Sequence, residues 1–338
     1  MLLEKADSYY SLSPSAKYLI FYQLKDSTWN SLDISTGKQQ QLTNNVMDVF
    51  FDELNDIPNE AGPHGFAGWL NENNAVVYSR NNLWALDLTG KDNPQLLTQN
   101  SKSKYLTYRY LDMDKDEVLM SQKMYLSVFD EKTKTSGFAQ LDVKSKELKQ
   151  IIHDEARFSG LIKAKNADRF LFRKETFEVY PDLYFVENEF DKAIKVSNAN
   201  PQQDKYCWGS VKLVSWRSFA GDSLEGLLYF PANFNADSTY PMVVYFYERH
   251  SDGLYRHYVP KPSRSVINIS DYTSRGYFVF APDIIYETAR PGQSAYNAII
   301  SGTQSMIERF PQIDSKNMGL QGLSCLGYQT EWLVTRTN

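Results

Sequence analysis

A serine becomes a nucleophile when the chain holds it exposed at a sharp turn. It also needs a base in reach and N–H donors aimed at the charge that develops on the carbonyl it attacks. The segment Gly322-Leu323-Ser324-Cys325-Leu326-Gly327-Tyr328 has this character. Met318-Gly319-Leu320 reads as a short strand leading in, and Tyr328 to Thr335 as a helix leading out. A serine at such a corner points its hydroxyl outward, while the next backbone N–H and the helix N-terminus converge on one spot. The chemistry this offers is acyl transfer. Gly322 stands two residues before Ser324, where a side chain would strike the neighbouring strand or helix. Two residues after it, the pattern G-x-S-x-G asks for glycine and finds Leu326; the glycine comes one position late, at Gly327. As a bare motif, this equally describes a serine at a tight strand–helix turn of any α/β domain.

The other chemistry-bearing residues form no recognisable constellation. All four histidines, His64, His153, His250 and His257, precede Ser324. His250 and His257 with Asp252 lack the spacing of metal ligands and read as surface polar residues. Glu175 and Glu178, in Lys174-Glu175-Thr176-Phe177-Glu178, read as a solvated strand face. Asn268-Ile269-Ser270 fits a glycosylation acceptor, a frequent chance match. No glycine loop suits a phosphate, and no cofactor or metal is expected.

The elements that must position Ser324 follow a change of texture near residue 205. Beyond it, Trp216 to Pro231 reads as strand, turn and strand. Met242-Val243-Val244-Tyr245-Phe246-Tyr247 and Tyr277-Phe278-Val279-Phe280-Ala281 are near-continuous apolar runs, as in strands buried on both faces. A helical pattern lies between Ser294 and Arg309. Strands alternating with helices predict a parallel sheet.

Before residue 205 the chain reads as short strands and turns, with a recurring hairpin. Its copies align on Asp33, Asp87 and Asp142, which lie 54 and 55 residues apart. Leu183-Tyr184-Phe185-Val186 begins a degraded fourth copy. Each copy has another strand pair upstream, so about four strands recur per repeat, as in the blades of a β-propeller. An antiparallel sandwich with similar turns is the plainer alternative.

Composition excludes several classes. A net charge of −5, with acidic and basic residues interspersed, gives no basic stripe for nucleic acid. No apolar run reaches the length of a membrane helix. Met1-Leu2-Leu3-Glu4-Lys5-Ala6-Asp7 lacks the basic and apolar regions of a signal peptide. Two cysteines, Cys207 and Cys325, make no disulfide framework and leave the compartment open.

Four segments, taken in order, resemble the start of the catalytic domain of the prolyl oligopeptidase family of serine peptidases, most closely its dipeptidyl peptidase IV-like branch. They are Gly221 to Phe234, Tyr240 to Tyr247, Ser274 to Asp283, and Gly319 to Gln329. That family places a β-propeller before an α/β-hydrolase domain. The resemblance therefore implies a partial propeller of about four blades over residues 1–205, about half the family's seven or eight. The N-terminal part of an α/β-hydrolase domain would follow over 206–338. It implies Ser324 as nucleophile, the Tyr247 hydroxyl as oxyanion donor, and the Cys325 backbone N–H as the second donor. Read without the resemblance, Tyr247 is a core aromatic on a buried strand.

The resemblance also sets expectations about the whole. In this fold the triad runs serine, acid, histidine, so its acid and histidine would lie beyond Asn338. The chain then reads as truncated at both ends and inactive alone, with an exposed edge on its last strand and poor solubility. The intact parent would be a serine peptidase hydrolysing short peptides, a homodimer, in the periplasm or another extracytoplasmic compartment. Leu326, in place of a family glycine, would distort the elbow. It favours the alternative reading, a non-catalytic propeller binding protein or pseudoenzyme with a vestigial hydrolase half.

Overall fold

The computed structural model describes residues 9–99, 103–114, 116–187 and 190–337. The segment Met1 to Asp7, read above for a leader, lies outside the described residues. The chain forms two compact units. One comprises residues 1–154, 158–172 and 185–194; the other comprises 155–157, 173–184 and 195–338.

The N-terminal strands form small sheets of four, each in sequence order. The first holds Tyr10–Leu12, Tyr18–Gln23, Thr28–Asp33 and Gln39–Gln41. The second holds Phe66–Asn71, Asn74–Tyr78, Leu83–Asp87 and Gln95–Leu96. The third holds Leu106–Leu111, Lys123–Asp130, Ser136–Asp142 and Glu147–Asp154. These three are antiparallel throughout. A fourth follows the same order with Arg157–Lys163, Arg169–Glu175, Asp182–Glu187 and Ile194–Lys195.

The repeated aspartate explains the period. Asp33, Asp87 and Asp142 each end the third strand of their sheet. The Asp33 carboxylate accepts the amides of Ser35 and Thr36 at 2.9 and 3.1 Å. Asp87 accepts those of Thr89, Lys91 and Asp92 at 3.0 Å, and Asp142 that of Ser145 at 2.9 Å. Each side chain closes its own hairpin, a local device that recurs because each sheet needs the same turn. The Ser35 hydroxyl and the Thr36 amide hold the Asp33 carboxyl below the usual range.

Successive sheets share buried apolar faces. Tyr18, Ile20, Tyr22 and Trp29 of the first pack with Ala75, Val77 and Leu86 of the second. Val76 and Leu83 pack with Tyr108, Leu126 and Leu141 of the third. Small sheets stacked in this way, with no closed barrel, are consistent with a propeller-like domain.

In the second unit one five-stranded sheet runs in the order Val211–Arg217, Ser223–Tyr229, Phe278–Pro282, Tyr240–Tyr245, Ile313–Gln321. Tyr240–Tyr245 pairs in parallel with both of its neighbours. Ser223–Tyr229 pairs antiparallel with both of its neighbours, Val211–Arg217 and Phe278–Pro282. The expected parallel sheet is present in Phe278–Pro282, Tyr240–Tyr245 and Ile313–Gln321, and an antiparallel pair extends it into a mixed sheet. A tight turn with Gly221 at φ +94° folds Ser223–Tyr229 back on Val211–Arg217, and a turn that short permits only an antiparallel pair. An α/β-hydrolase half is not seen as such: the sheet is mixed and the helical share of the chain is small.

The helices are Ile269–Ser274, a continuous segment over 291–309 with one π turn at Tyr296–Ile300, and Cys325–Val334. Asn268 caps the first, accepting the Asp271 amide at 3.1 Å, while its Nδ2 donates to the Val259 carbonyl at 2.9 Å. The acceptor-like Asn268-Ile269-Ser270 is thus a helix start. Among the described residues no helix is long and apolar enough to cross a membrane.

The core of this unit explains the two apolar runs. All five residues of Phe278–Pro282 are buried. Phe278 and Phe280 pack with Met242, Phe246, Ile299, Met306, Leu326 and Leu333. The strand Ile313–Gln321 lies at the sheet edge, with most of its residues exposed.

Candidate active site

Ser324 sits where strand gives way to helix. Ile313–Gln321 ends three residues before it, and Cys325–Val334 begins directly after it. Its backbone has φ 61° and ψ −123°, a left-handed conformation that residues with a side chain rarely adopt. Such strain costs about 1–3 kcal/mol and persists only where the surroundings enforce it. Ser324 is exposed, and its hydroxyl makes no cap bond to the helix it precedes.

The enforcing contact is at Gly322. A Cβ there would lie 2.4 Å from the Leu326 carbonyl oxygen and 2.8 Å from Thr330 Oγ1. Only glycine lets the strand run this close to the helix. Gly327, by contrast, faces open space. The late glycine is therefore no displaced counterpart of a missing one.

Leu326 is 3% exposed and part of the main core, so its side chain is directed inward rather than wedged under the turn. The helix starts at Cys325, directly after the strained Ser324. Gln329, fully buried, anchors the same helix by donating to the Tyr286 hydroxyl at 3.1 Å. Tyr328 is 48% exposed, its ring 6.2 Å from that of Trp332.

Tyr247 is brought to the same end of the sheet by strand register. Tyr245 pairs with Gln321 across the parallel strands. Tyr247 follows Tyr245 by two residues, and Ser324 follows Gln321 by three. Both leave the sheet at the C-terminal ends of adjacent parallel strands, the place where open α/β sheets bind ligands. Tyr247 is 42% exposed, so the reading of it as a core aromatic is corrected. The side chain buried beside it is Phe246, at 0% exposure. Cys325 occupies the first helical position, where a backbone N–H has no intrahelical acceptor. Its thiol is free and exposed.

Asp283, passed over in the sequence as a strand end, lies at the end of the third parallel strand. It is 7% exposed. One carboxylate oxygen accepts the His250 amide at 2.6 Å and the Ser251 amide at 2.9 Å. A charged residue two positions after the fully apolar Tyr277-Phe278-Val279-Phe280-Ala281 was the available signal.

None of the histidines is assembled with Ser324. His64 Nε2 pairs with Glu53 at 2.6 Å, and His153 with the Thr135 hydroxyl at 2.6 Å. Burial, then the nearby Arg256 charge, lowers the His250 pKa to about 4. The ring of His250 packs 5.1 Å from Tyr245.

His257 is not a surface residue: it is 8% exposed and stacked on Trp208 at 4.9 Å, with Nδ1 3.0 Å from the Phe177 carbonyl. Glu175 is likewise no solvated strand face. It is 7% exposed and pairs with Arg157 at 2.9 Å. Glu178 is exposed.

No protein-family model matches the chain, and no curated protein sequence matches it. Solved structures do match. One is assigned as a dipeptidyl aminopeptidase IV from Bacteroides ovatus, with a TM-score of 0.62 at 14% identity over 92% of this chain and 47% of that one. A puromycin-hydrolyzing peptidase of Mycobacterium tuberculosis gives 0.59 at 13% identity, over 99% of this chain and 52% of that one. A puromycin hydrolase gives 0.59 at 13% identity, over 97% and 50%. The chain thus spans about half the length of these structures. At such identities the likeness is one of fold, and the folds it meets are those of peptidases.

Proposed function

We propose that this chain carries the nucleophile end of a serine peptidase of the prolyl oligopeptidase family, in its dipeptidyl peptidase IV-like branch. Residues 206–338 are read as the N-terminal part of an α/β-hydrolase domain, following a partial propeller over 1–205. The observation that carries the reading is the strained Ser324 at a strand–helix corner, over a glycine that no other residue could replace. Ser324 Oγ attacks the carbonyl carbon of a peptide bond in a short peptide. Its proton passes to a histidine that the family order places after the serine, so none of the four here is assigned that role. The Tyr247 hydroxyl and the Cys325 N–H donate to the resulting oxyanion, where preorganised donors matter most. Collapse of the tetrahedral adduct expels the amine and leaves an acyl group on Ser324 for water to remove.

The reading as a non-catalytic binding protein or pseudoenzyme drew on Leu326. The Leu326 side chain itself packs in the core. The full gene product, assayed against dipeptidyl and prolyl chromogenic substrates, tests the choice. Hydrolysis lost in Ser324→Ala supports the peptidase. Binding without turnover, or turnover indifferent to Ser324→Ala, refutes it.

A further inference from the structure

An oxyanion donor works only if its hydroxyl is held where charge will appear, to within about half an ångström. Tyr247 lies on a loop, beyond the last residue of the strand Tyr240–Tyr245. Phe246, fully buried, fixes the loop on its near side. On the far side the Ile284 amide donates to the Glu248 carbonyl at 3.0 Å. Next come the Asp283 contacts, His250 N–H at 2.6 Å and Ser251 N–H at 2.9 Å, both to one oxygen. Asp283 is itself fixed, its amide donating to the Glu225 carbonyl at 2.9 Å on the strand Ser223–Tyr229. Tyr247 is therefore strapped between a core anchor and a carboxylate latch.

We propose that Asp283 is a positioning residue for Tyr247, fixing the loop that presents its hydroxyl at the C-terminal end of the sheet. The functional half of this inference rests on the peptidase reading; the latch stands on geometry alone. A buried carboxylate suits the task because hydrogen bonds to an ionised acceptor are about twice as strong as neutral ones, and one oxygen here serves two donors. Asparagine would keep an oxygen acceptor without the charge, and alanine would leave both amides unpaired.

The test compares the chain with Asp283→Asn and Asp283→Ala. In Asp283→Ala, hydrogen exchange of the segment 246–253 should rise about tenfold or more. A fluorine resonance from 3-fluorotyrosine at position 247 should move toward the free amino acid. The asparagine variant should fall between, and it decides the matter if alanine prevents folding. In the full gene product, Asp283→Ala and Tyr247→Phe should each slow phosphonylation of Ser324 by a fluorophosphonate, with loss of fluoride, about 100-fold. The double variant should be no slower than Tyr247→Phe, because the latch acts only through that hydroxyl. Unchanged exchange and an unchanged fluorine signal overturn the proposal, and so does an additive double variant. If Ser324 of the unsubstituted protein takes no phosphonate label, the peptidase reading is what fails; the exchange and fluorine measurements still decide the latch.

Discussion

Leu326→Gly restores the glycine that the elbow pattern asks for, and the structure says it should harm the protein. The side chain is 3% exposed and packs in the core with Phe246, Phe280 and Leu333. Removing a buried leucine down to Cβ costs about 2–5 kcal/mol, depending on how far the site collapses. Glycine adds up to about 1 kcal/mol of helix propensity, discounted here because the position lies in the first turn. A loss of about 3–5 kcal/mol is expected, a large share of the 5–15 kcal/mol that usually separates folded from unfolded domains. Urea unfolding of wild type, Leu326→Met and Leu326→Gly, read by tryptophan fluorescence, measures it. Methionine should stay within about 1.5 kcal/mol of wild type. A Leu326→Gly protein as stable as wild type, or one that takes a fluorophosphonate label at Ser324 faster, would be the contrary result. Either result would mean that Leu326 strains the elbow rather than filling the core.

Other perturbations have equally definite outcomes. Gly322→Ala places a Cβ 2.4 Å from a carbonyl oxygen of the elbow helix, which cannot yield as a side chain could; thermal unfolding should show a loss above about 2 kcal/mol, and a neutral result would refute the close approach. Ser324→Gly should stabilise by about 1–2 kcal/mol, since glycine adopts φ 61° freely, whereas Ser324→Ala should not; equal effects would deny the strain.

His250 stays neutral down to about pH 4, while in the unfolded chain it titrates near 6.5. The unfolded state takes up that proton first, so stability is complete above pH 6.5 and declines as pH falls toward 4, by about 3 kcal/mol at most. His250→Gln should flatten denaturation midpoints between pH 4 and 6.5; an unaltered slope would contradict the burial.

What the sequence disclosed was largely what local physics determines. The Asp33, Asp87 and Asp142 hairpins were legible because each aspartate binds amides within five residues of itself. The buried strand Phe278–Pro282 was legible because a strand covered on both faces has no polar phase. Its pairing direction was not, since an apolar run is the same in either sense: Phe278–Pro282 lies antiparallel to Ser223–Tyr229 on one side and parallel to Tyr240–Tyr245 on the other.

Burial of polar groups was hidden by distance along the chain. His257 contacts the Phe177 carbonyl 80 residues away, and Asp283 meets its amides 32 and 33 residues away. Glu175 looked solvated because its cover, Arg157 and His257, comes from other elements. The elbow lay between these cases. Gly322 announced itself, but whether Leu326 filled or disturbed the turn depended on core residues such as Phe246 and Phe280 that only the fold brings beside it.

Whether Ser324 is a nucleophile held for attack is decided by fluorophosphonate labelling of the full gene product, with the modified residue located by peptide mass spectrometry. A single adduct should form on Ser324, be abolished in Ser324→Ala and be slowed about 100-fold in Tyr247→Phe. A folded protein that takes no label at Ser324, or takes it elsewhere, would show that Ser324 is not the nucleophile.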